Sequence, residues 1–270
     1  MKITFLGGGN MAAALIGGLV KQGFAAADLQ VVELSAEGRS KLQDGFGVRA
    51  VEAFDEQTLA CDVLVLAVKP QQMKVAVAPI SGRLDKQVVV SIAAGLRLAD
   101  IGRWLGGHTR LVRAMPNTPA LIGAGITGLY ADASVSAEGR EAAARVLNAV
   151  GSTVWVPEEA QIDGVTAVSG SGPAYVFHFI ECLQAAGESL GFDVATARKL
   201  AIDTVLGAAR LAADSDESPA VLRERVPSKG GTTAAALASL ASDGFPEIIT
   251  RAVAAAEARG RELGEQLGQD

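Results

Sequence analysis

Histidine, cysteine and aromatic side chains are scarce in this chain, and each shortage closes off a class of function. Among 270 residues there are two histidines, His108 and His178, far apart. Histidine-based proton transfer and a histidine-rich metal site are therefore not expected, and no metal is assigned. Two cysteines, Cys61 and Cys182, lie far apart on apolar stretches, with neither a disulfide framework nor metal-ligand spacing. No apolar run is long enough to span a bilayer, and the first residues read as strand rather than signal peptide, so a cytoplasmic protein without membrane association is expected. The formal net charge is -6 and no basic cluster occurs, which argues against nucleic acid as a partner. What remains is a chain rich in small apolar residues, long enough for one large or two moderate domains, whose informative glycines gather at two turns.

The first turn opens the chain. Residues 3 to 6 (Ile-Thr-Phe-Leu) run directly into Gly7-Gly8-Gly9-Asn10-Met11-Ala12 and an apolar helix ending near Gly23. The spacing Gly7-x-Gly9-x-x-Ala12 between a strand and a helix is a dinucleotide fingerprint, because missing side chains let a pyrophosphate approach the helix N-terminus. A second strand, Leu29 to Glu33, ends on an acid a little over twenty residues later, where a ribose partner belongs. The other turn, Val226-Pro227-Ser228-Lys229-Gly230-Gly231-Thr232-Thr233, leads into an alanine-rich helix. Hydroxyls and bare backbone N–H groups at the positive end of a helix dipole suit an anion. An ordinary Ser/Thr helix cap uses the same residues.

Between these turns strands and helices alternate to about residue 157. Asp62 to Ala67, Val88 to Ile92, Arg110 to Ala114 and Thr153 to Val156 read as strands, with helices near Asp100 and over Ala137 to Val150. Continuous apolar runs such as Val88 to Ile92 suit a doubly covered parallel sheet, whose ligands sit at the carboxyl ends of its strands. Three polar turns fall there: Val68-Lys69-Pro70, Ala93-Ala94-Gly95 and Pro116-Asn117-Thr118. After about residue 160 only helical patterns remain. Ser169-Gly170-Ser171-Gly172-Pro173 opens one helix, Val194 to Ala213 forms a second, a third starts at Pro219 and breaks at Pro227, and two more follow. Ala234 to Ala241 and Ala252 to Ala256 are apolar on nearly every face, and a helix of that kind needs burial all round. Residues 161–270 cannot supply such burial alone, so a dimer through this region is expected. The fold class is α/β: a Rossmann-type parallel-sheet domain over residues 1–160, followed by an all-helical dimerisation domain over 161–270.

Five segments together resemble the pyrroline-5-carboxylate reductase family: Gly7-Gly8-Gly9-Asn10-Met11-Ala12, Ala67-Val68-Lys69-Pro70, Met115-Pro116-Asn117-Thr118-Pro119, Ser169-Gly170-Ser171-Gly172-Pro173-Ala174-Tyr175 and Ser228-Lys229-Gly230-Gly231-Thr232-Thr233. The match runs through essentially the whole chain, in order and with unbroken spacing. It implies an NAD(P)H-dependent oxidoreductase acting on a C=N bond, which gives proline in the last step of its biosynthesis. It also implies interleaved helical domains, a dimer or an assembly of dimers, and a substrate held between the nicotinamide and the Gly-Gly-Thr-Thr turn. The substrate is a cyclic imine bearing a carboxylate. Its iminium form already carries the proton that the product amine needs, so a histidine-poor site suffices.

On this resemblance Gly7, Gly8, Gly9, Asn10, Met11, Glu33, Ser35, Ala67, Val68, Lys69, Pro70, Ala93, Ala94 and Asn117 hold the cofactor, with Lys69 and Asn117 on the nicotinamide-ribose side. Ser228, Gly230, Gly231, Thr232 and Thr233 hold the substrate carboxylate, and the Thr233 hydroxyl reaches the ring nitrogen as the catalytic group. Glu159 and Asp216 are further substrate contacts. Family members often carry Asn or Arg after the second strand, where this chain has Glu33-Leu34-Ser35, which favours NADH over NADPH. An Asn common ahead of the family's fourth strand is replaced by Phe54-Asp55. A β-hydroxyacid dehydrogenase would need a lysine in the helix opening the second domain, and none occurs there before Lys199. The Tyr-Lys pair of short-chain dehydrogenases is also missing, since Phe179 follows Tyr175 by four. A nucleotide sensor would lack the second anion turn.

Overall fold

The computed structural model describes residues 1–268. Short, mostly apolar runs make the strands: β1 (Ile3–Leu6), β2 (Leu29–Val32), β3 (Arg49–Val51), β4 (Val63–Leu66), β5 (Val88–Ser91), β6 (Leu111–Met115), β7 (Gly125–Ala131) and β8 (Gly151–Trp155). They form one sheet in the order β3-β2-β1-β4-β5-β6-β7-β8. Neighbours from β3 to β6 are parallel; β7 runs antiparallel to β6, and β8 parallel to β7. Between the strands lie α1 (Asn10–Lys21), α2 (Ala36–Phe46), α3 (Glu56–Leu59), α4 (Met73–Val77), α5 (Leu98–Trp104) and α6 (Ala137–Leu147). Every residue of β1, β2, β4 and β5 is buried, as a strand covered on both faces requires. Phe5, Val31, Val65 and Val90 pack under Leu15, Ile16 and Leu19 of α1 and Val146 and Leu147 of α6. Leu6, Leu64, Leu66 and Val89 pack on Met73 and Val77 of α4 and Ile101 and Trp104 of α5. The chain crosses from β3 back to β4 beside β1, so the order reverses at β1 and opens a crevice beyond its carboxyl end.

Two strands escaped the sequence pattern, and the sheet is not wholly parallel. β3 has three residues, and β7 carries glycines at Gly125 and Gly128 that hide its alternation. Gly128 is required by packing: a Cβ there would sit 2.6 Å from a Val165 methyl. Val165 belongs to a further helix, α7 (Gln161–Val165), continued by a π-turn over Thr166–Gly170. The Ser-Gly-Ser-Gly-Pro segment thus follows one short helix rather than opening the first.

The chain divides into two compact units, residues 1–171 together with the segment from Ala256 onward, and Gly172–Ala255. The second unit is helical: α8 (Gly172–Ser189), α9 (Val194–Ala213), α10 (Pro219–Arg225), α11 (Thr232–Ser242) and the first turns of α12 (Phe245–Gly268). α8 and α9 form a hairpin, turned by Gly191 at φ 95° and capped by Asp193, whose carboxylate accepts from Thr196 N at 3.0 Å. Within this unit only Ala197 and Ala201 are buried hydrophobics, while Phe177, Phe179, Leu206 and Ile249 stand open to solvent. In the first unit, the end of α12 lies on the turn after β5: a Cβ on Gly264 would be 2.6 Å from Gly95 O. Arg103 Nη2 also donates to Gly268 O at 2.9 Å. Among the described residues no helix is long and apolar enough to cross a membrane.

Candidate active site

At the carboxyl end of β1 the chain needs a left-handed turn, and Gly7 supplies it at φ 96°. Gly7 N donates to Val32 O at 2.8 Å, and a Cβ at Gly7 would lie 2.8 Å from Ala67 O, so β2 and β4 both crowd this turn. Gly9 is the N-cap of α1, no side chain caps the helix, and the space where a Cβ would project is empty. The result is an uncapped helix end under an open cradle, which fits a pyrophosphate.

Glu33 sits one residue past β2 and spends both carboxylate oxygens on backbone: Oε2 accepts from Gly8 N and Oε1 from Ser35 N, each at 2.8 Å. Ser35 in turn caps α2, its Oγ accepting from Gly38 N at 3.2 Å. Arg39 Nη1 donates to Glu33 O and Leu34 O at 2.8 Å, and Nη2 pairs with Glu52 at 3.4 Å. A cavity beside this turn is lined by Gly7, Glu33, Leu34, Glu52, Phe54 and Val68, with the apolar walls an adenosine needs. Asp55, the departure from the family pattern, belongs to the scaffold: it forms a capping box with Thr58 at α3 and pairs with Arg49. The Arg49 guanidinium and the Thr58 amide hold its carboxyl well below the usual carboxylate range.

The remaining assigned positions of this unit lie at the same edge of the sheet. Ala67 N is bonded to Leu6 O at 2.8 Å, Lys69 is exposed and precedes a 3₁₀ turn started by Pro70, and Ala93 is buried beside exposed Ala94. Asn117 is nearly buried, and its amide is engaged within the protein: Oδ1 accepts from Ile126 N at 3.0 Å and Nδ2 donates to Ser169 Oγ at 3.3 Å. Glu159 is likewise engaged, its Oε1 accepting from Leu98 N at 2.8 Å at the start of α5. The sequence reading missed Arg97, Arg113 and Asp163. Asp163 takes Arg113 Nη2 on one oxygen at 2.7 Å and Arg97 Nη2 on the other at 2.6 Å. A signal was available for Arg113, which interrupts an otherwise apolar strand; Asp163, in the mixed polar and apolar run of α7, gave none. His108 is a structural group: Nε2 meets Gln87 O at 2.9 Å, and burial pushes its pKa down.

In the second unit, Gly230 turns the chain at φ 69° and Gly231 N donates to Ser228 O at 3.0 Å. The N-cap of α11 is Gly231, with no side-chain cap, so the hydroxyls of Ser228, Thr232 and Thr233 do not cap the helix. That separates this turn from an ordinary Ser/Thr cap and leaves the helix end bare for an anion. Asp216 is exposed in the loop between α9 and α10, next to Glu217, which pairs with Arg225.

Comparison with known proteins agrees with this geometry. Residues 159–263 match the family model described as pyrroline-5-carboxylate reductase dimerisation, and residues 2–95 match NADP oxidoreductase coenzyme F420-dependent. Pyrroline-5-carboxylate reductase of Pseudomonas aeruginosa is 48% identical over 269 residues, covering 99% of this chain and 98% of that protein. A solved pyrroline-5-carboxylate reductase from Coxiella burnetii superposes with a TM-score of 0.93 at 40% identity, over 97% of this chain and 98% of that one. The pyrroline carboxylate reductase of Plasmodium falciparum, solved with NADP bound, gives 0.85 at 28% identity, over 98% of both chains.

Proposed function

The chain belongs to the pyrroline-5-carboxylate reductase family, and from that premise we propose that it reduces pyrroline-5-carboxylate to proline, completing proline biosynthesis. The observation that carries this reading is the pair of uncapped, glycine-headed helix ends, α1 behind Gly7-Gly8-Gly9 and α11 behind Gly230-Gly231. One suits a pyrophosphate and the other a small carboxylate.

When bound, NADH or NADPH supplies the hydride. The residues of this chain bind and orient. Gly7, Gly8, Gly9, Asn10 and Met11 cradle the pyrophosphate, Glu33 and Ser35 face the adenosine ribose, and Ala67 to Pro70, Ala93, Ala94 and Asn117 bound the nicotinamide half. The amides of Gly230 to Thr233, with Ser228, hold the substrate carboxylate through charge-assisted bonds. The Thr233 hydroxyl accepts from the protonated ring nitrogen and so turns the C=N carbon toward the hydride. No general acid is needed, because the iminium brings its own proton, and positioning supplies most of the advantage. Asp216 is retained as a substrate contact from the loop after α9. Glu159 is a further substrate contact on this reading, and its Oε1 also accepts from Leu98 N.

Functionally the chain divides into a cofactor domain, residues 1–160, and a helical dimerisation and substrate domain, 161–270, a division that the family match over 159–263 supports. We place the enzyme in the cytoplasm, away from membrane and nucleic acid, as a dimer or an assembly of dimers with sites shared between chains. A spectrophotometric assay with pyrroline-5-carboxylate and each reduced nicotinamide tests the reading. Oxidation of the cofactor is expected with the imine, and no cofactor reduction with β-hydroxyacids. Failure to turn over the imine with either cofactor overturns it.

A further inference from the structure

Arg113 is 1% exposed in the middle of β6, and among the described residues its Nε and Nη1 have no hydrogen-bond partner. Its charge is met by Asp163, itself 3% exposed, and more distantly by Glu159 at 3.5 Å from Nη1. Asp163 also holds Arg97, whose side chain is 25% exposed. A buried ionic cluster is poor value for stability alone, since well-packed apolar residues of similar volume often hold a fold as well or better. Its placement says what else it does. Arg97 lies two residues beyond Gly95, at the end of the Ala93-Ala94-Gly95 turn. Arg113 lies two residues before the Met115-Pro116-Asn117 turn. Asp163 is on α7, whose π-turn continuation reaches the same loop through the Ser169–Asn117 bond and through Gly170, where a Cβ would lie 2.6 Å from Met115 Cε. Both turns assigned to the nicotinamide half are thus fastened to one segment by one carboxylate.

We propose that Asp163, clamped between Arg97 and Arg113, is a positioning residue that fixes the Ala93–Gly95 and Met115–Asn117 turns against the nicotinamide half of the cofactor. The proposal rests on the reductase reading above, and its test includes binding measurements that do not. In the full-length protein, Asp163→Asn and the apolar double variant Arg113→Met/Asp163→Leu are compared with wild type. Readouts are affinity for NADH and for ADP-ribose, which lacks the nicotinamide, melting temperature, kcat, and the isotope effect with cofactor deuterated at C4. Both variants are expected to keep ADP-ribose affinity within about twofold, to lose about fivefold or more in NADH affinity, and to lose about tenfold or more in kcat, the scale on which misplacement costs rate. The isotope effect on kcat rises as hydride transfer becomes limiting. Should Asp163→Asn fail to fold, the double variant decides, because it removes the uncompensated charge; Arg97 can turn to solvent. A double variant that melts at or above wild type and keeps wild-type kcat and NADH affinity overturns the proposal, as does equal loss of ADP-ribose and NADH binding. Wild type that binds NADH but leaves the imine untouched overturns the reductase reading instead, while the contrast between NADH and ADP-ribose still decides the positioning role.

Discussion

On the proposed reading, Glu33 sets the choice between NADH and NADPH. Its two oxygens tie the glycine turn to the turn after β2, at the edge of the cradle that the proposed function gives to the ribose. A 2′-phosphate about 4 Å away would be repelled by roughly 1 to 4 kcal/mol, whereas a 2′-hydroxyl can donate to the same oxygens. Arg39, a cation beside this turn, is already committed to Glu33 O, Leu34 O and Glu52. We therefore expect kcat/KM to favour NADH, and Glu33→Gln to move the NADH/NADPH ratio toward NADPH by about tenfold, or ~1.4 kcal/mol. A wild-type ratio strongly in favour of NADPH, unmoved in the variant, would show that the carboxylate does not face the ribose.

At the scale of elements, two helical glycines predict opposite outcomes. In α1, buried Ala12, Leu15, Ile16 and Leu19 recur at helical spacing, and Gly18 beside them lets the helix touch the backbone of Ala149. Gly18→Ala would drive its methyl into that backbone carbonyl and should cost about 1–3 kcal/mol as overpacking. In α2, Gly45 is exposed with nothing near its Cβ position, so Gly45→Ala should add about 0.5–1 kcal/mol by helix propensity. Thermal denaturation of the two variants should bracket the wild-type midpoint; two shifts of the same sign would contradict the packing described for α1. The same contrast explains which elements were legible. Periodic helices such as α9 and α12 announce themselves over many residues, whereas β7 has glycines where alternation would otherwise show, because α7 packs against Gly128 and Ala120 against Gly125.

At the scale of the molecule, the second unit buries two alanines and leaves Phe177, Phe179, Leu206 and Ile249 uncovered. The groove lined by Ala174, Phe179, Val205, Leu240, Phe245 and Ile249 is mostly apolar, with Tyr175 and His178 also on its wall. Such surface calls for a second copy, in keeping with the dimerisation family it matches. If each site is shared, a chain blocked in its cradle and a chain blocked in its carboxylate turn should complement. Gly9→Leu suits the first, since open space surrounds that position and the fold need not shift; Thr232→Val/Thr233→Val suits the second. After joint unfolding and refolding, random pairing makes about half the dimers mixed, each with one intact site, so activity should return to about a quarter of wild type. Mixed dimers verified by size exclusion yet as inactive as their parents would assign each site to a single chain.

Short-range signals explain how much the sequence by itself determined. The glycine turns at 7–9 and 230–231, the helices after Asn10 and Thr232, the run of buried strands and the helical second half all follow from residues within one turn or one strand of each other. Backbone sterics, capping and apolar periodicity act at that range. Tertiary structure alone decided that Glu33 reaches Gly8, that Asn117 meets Ile126 and Ser169, and that Arg97, Arg113 and Asp163 share one buried cluster. Polar side chains so far apart in sequence acquire partners only when the sheet order brings them together. Burial then makes those partners obligatory, because an unpaired polar group out of water costs more than the bond itself returns.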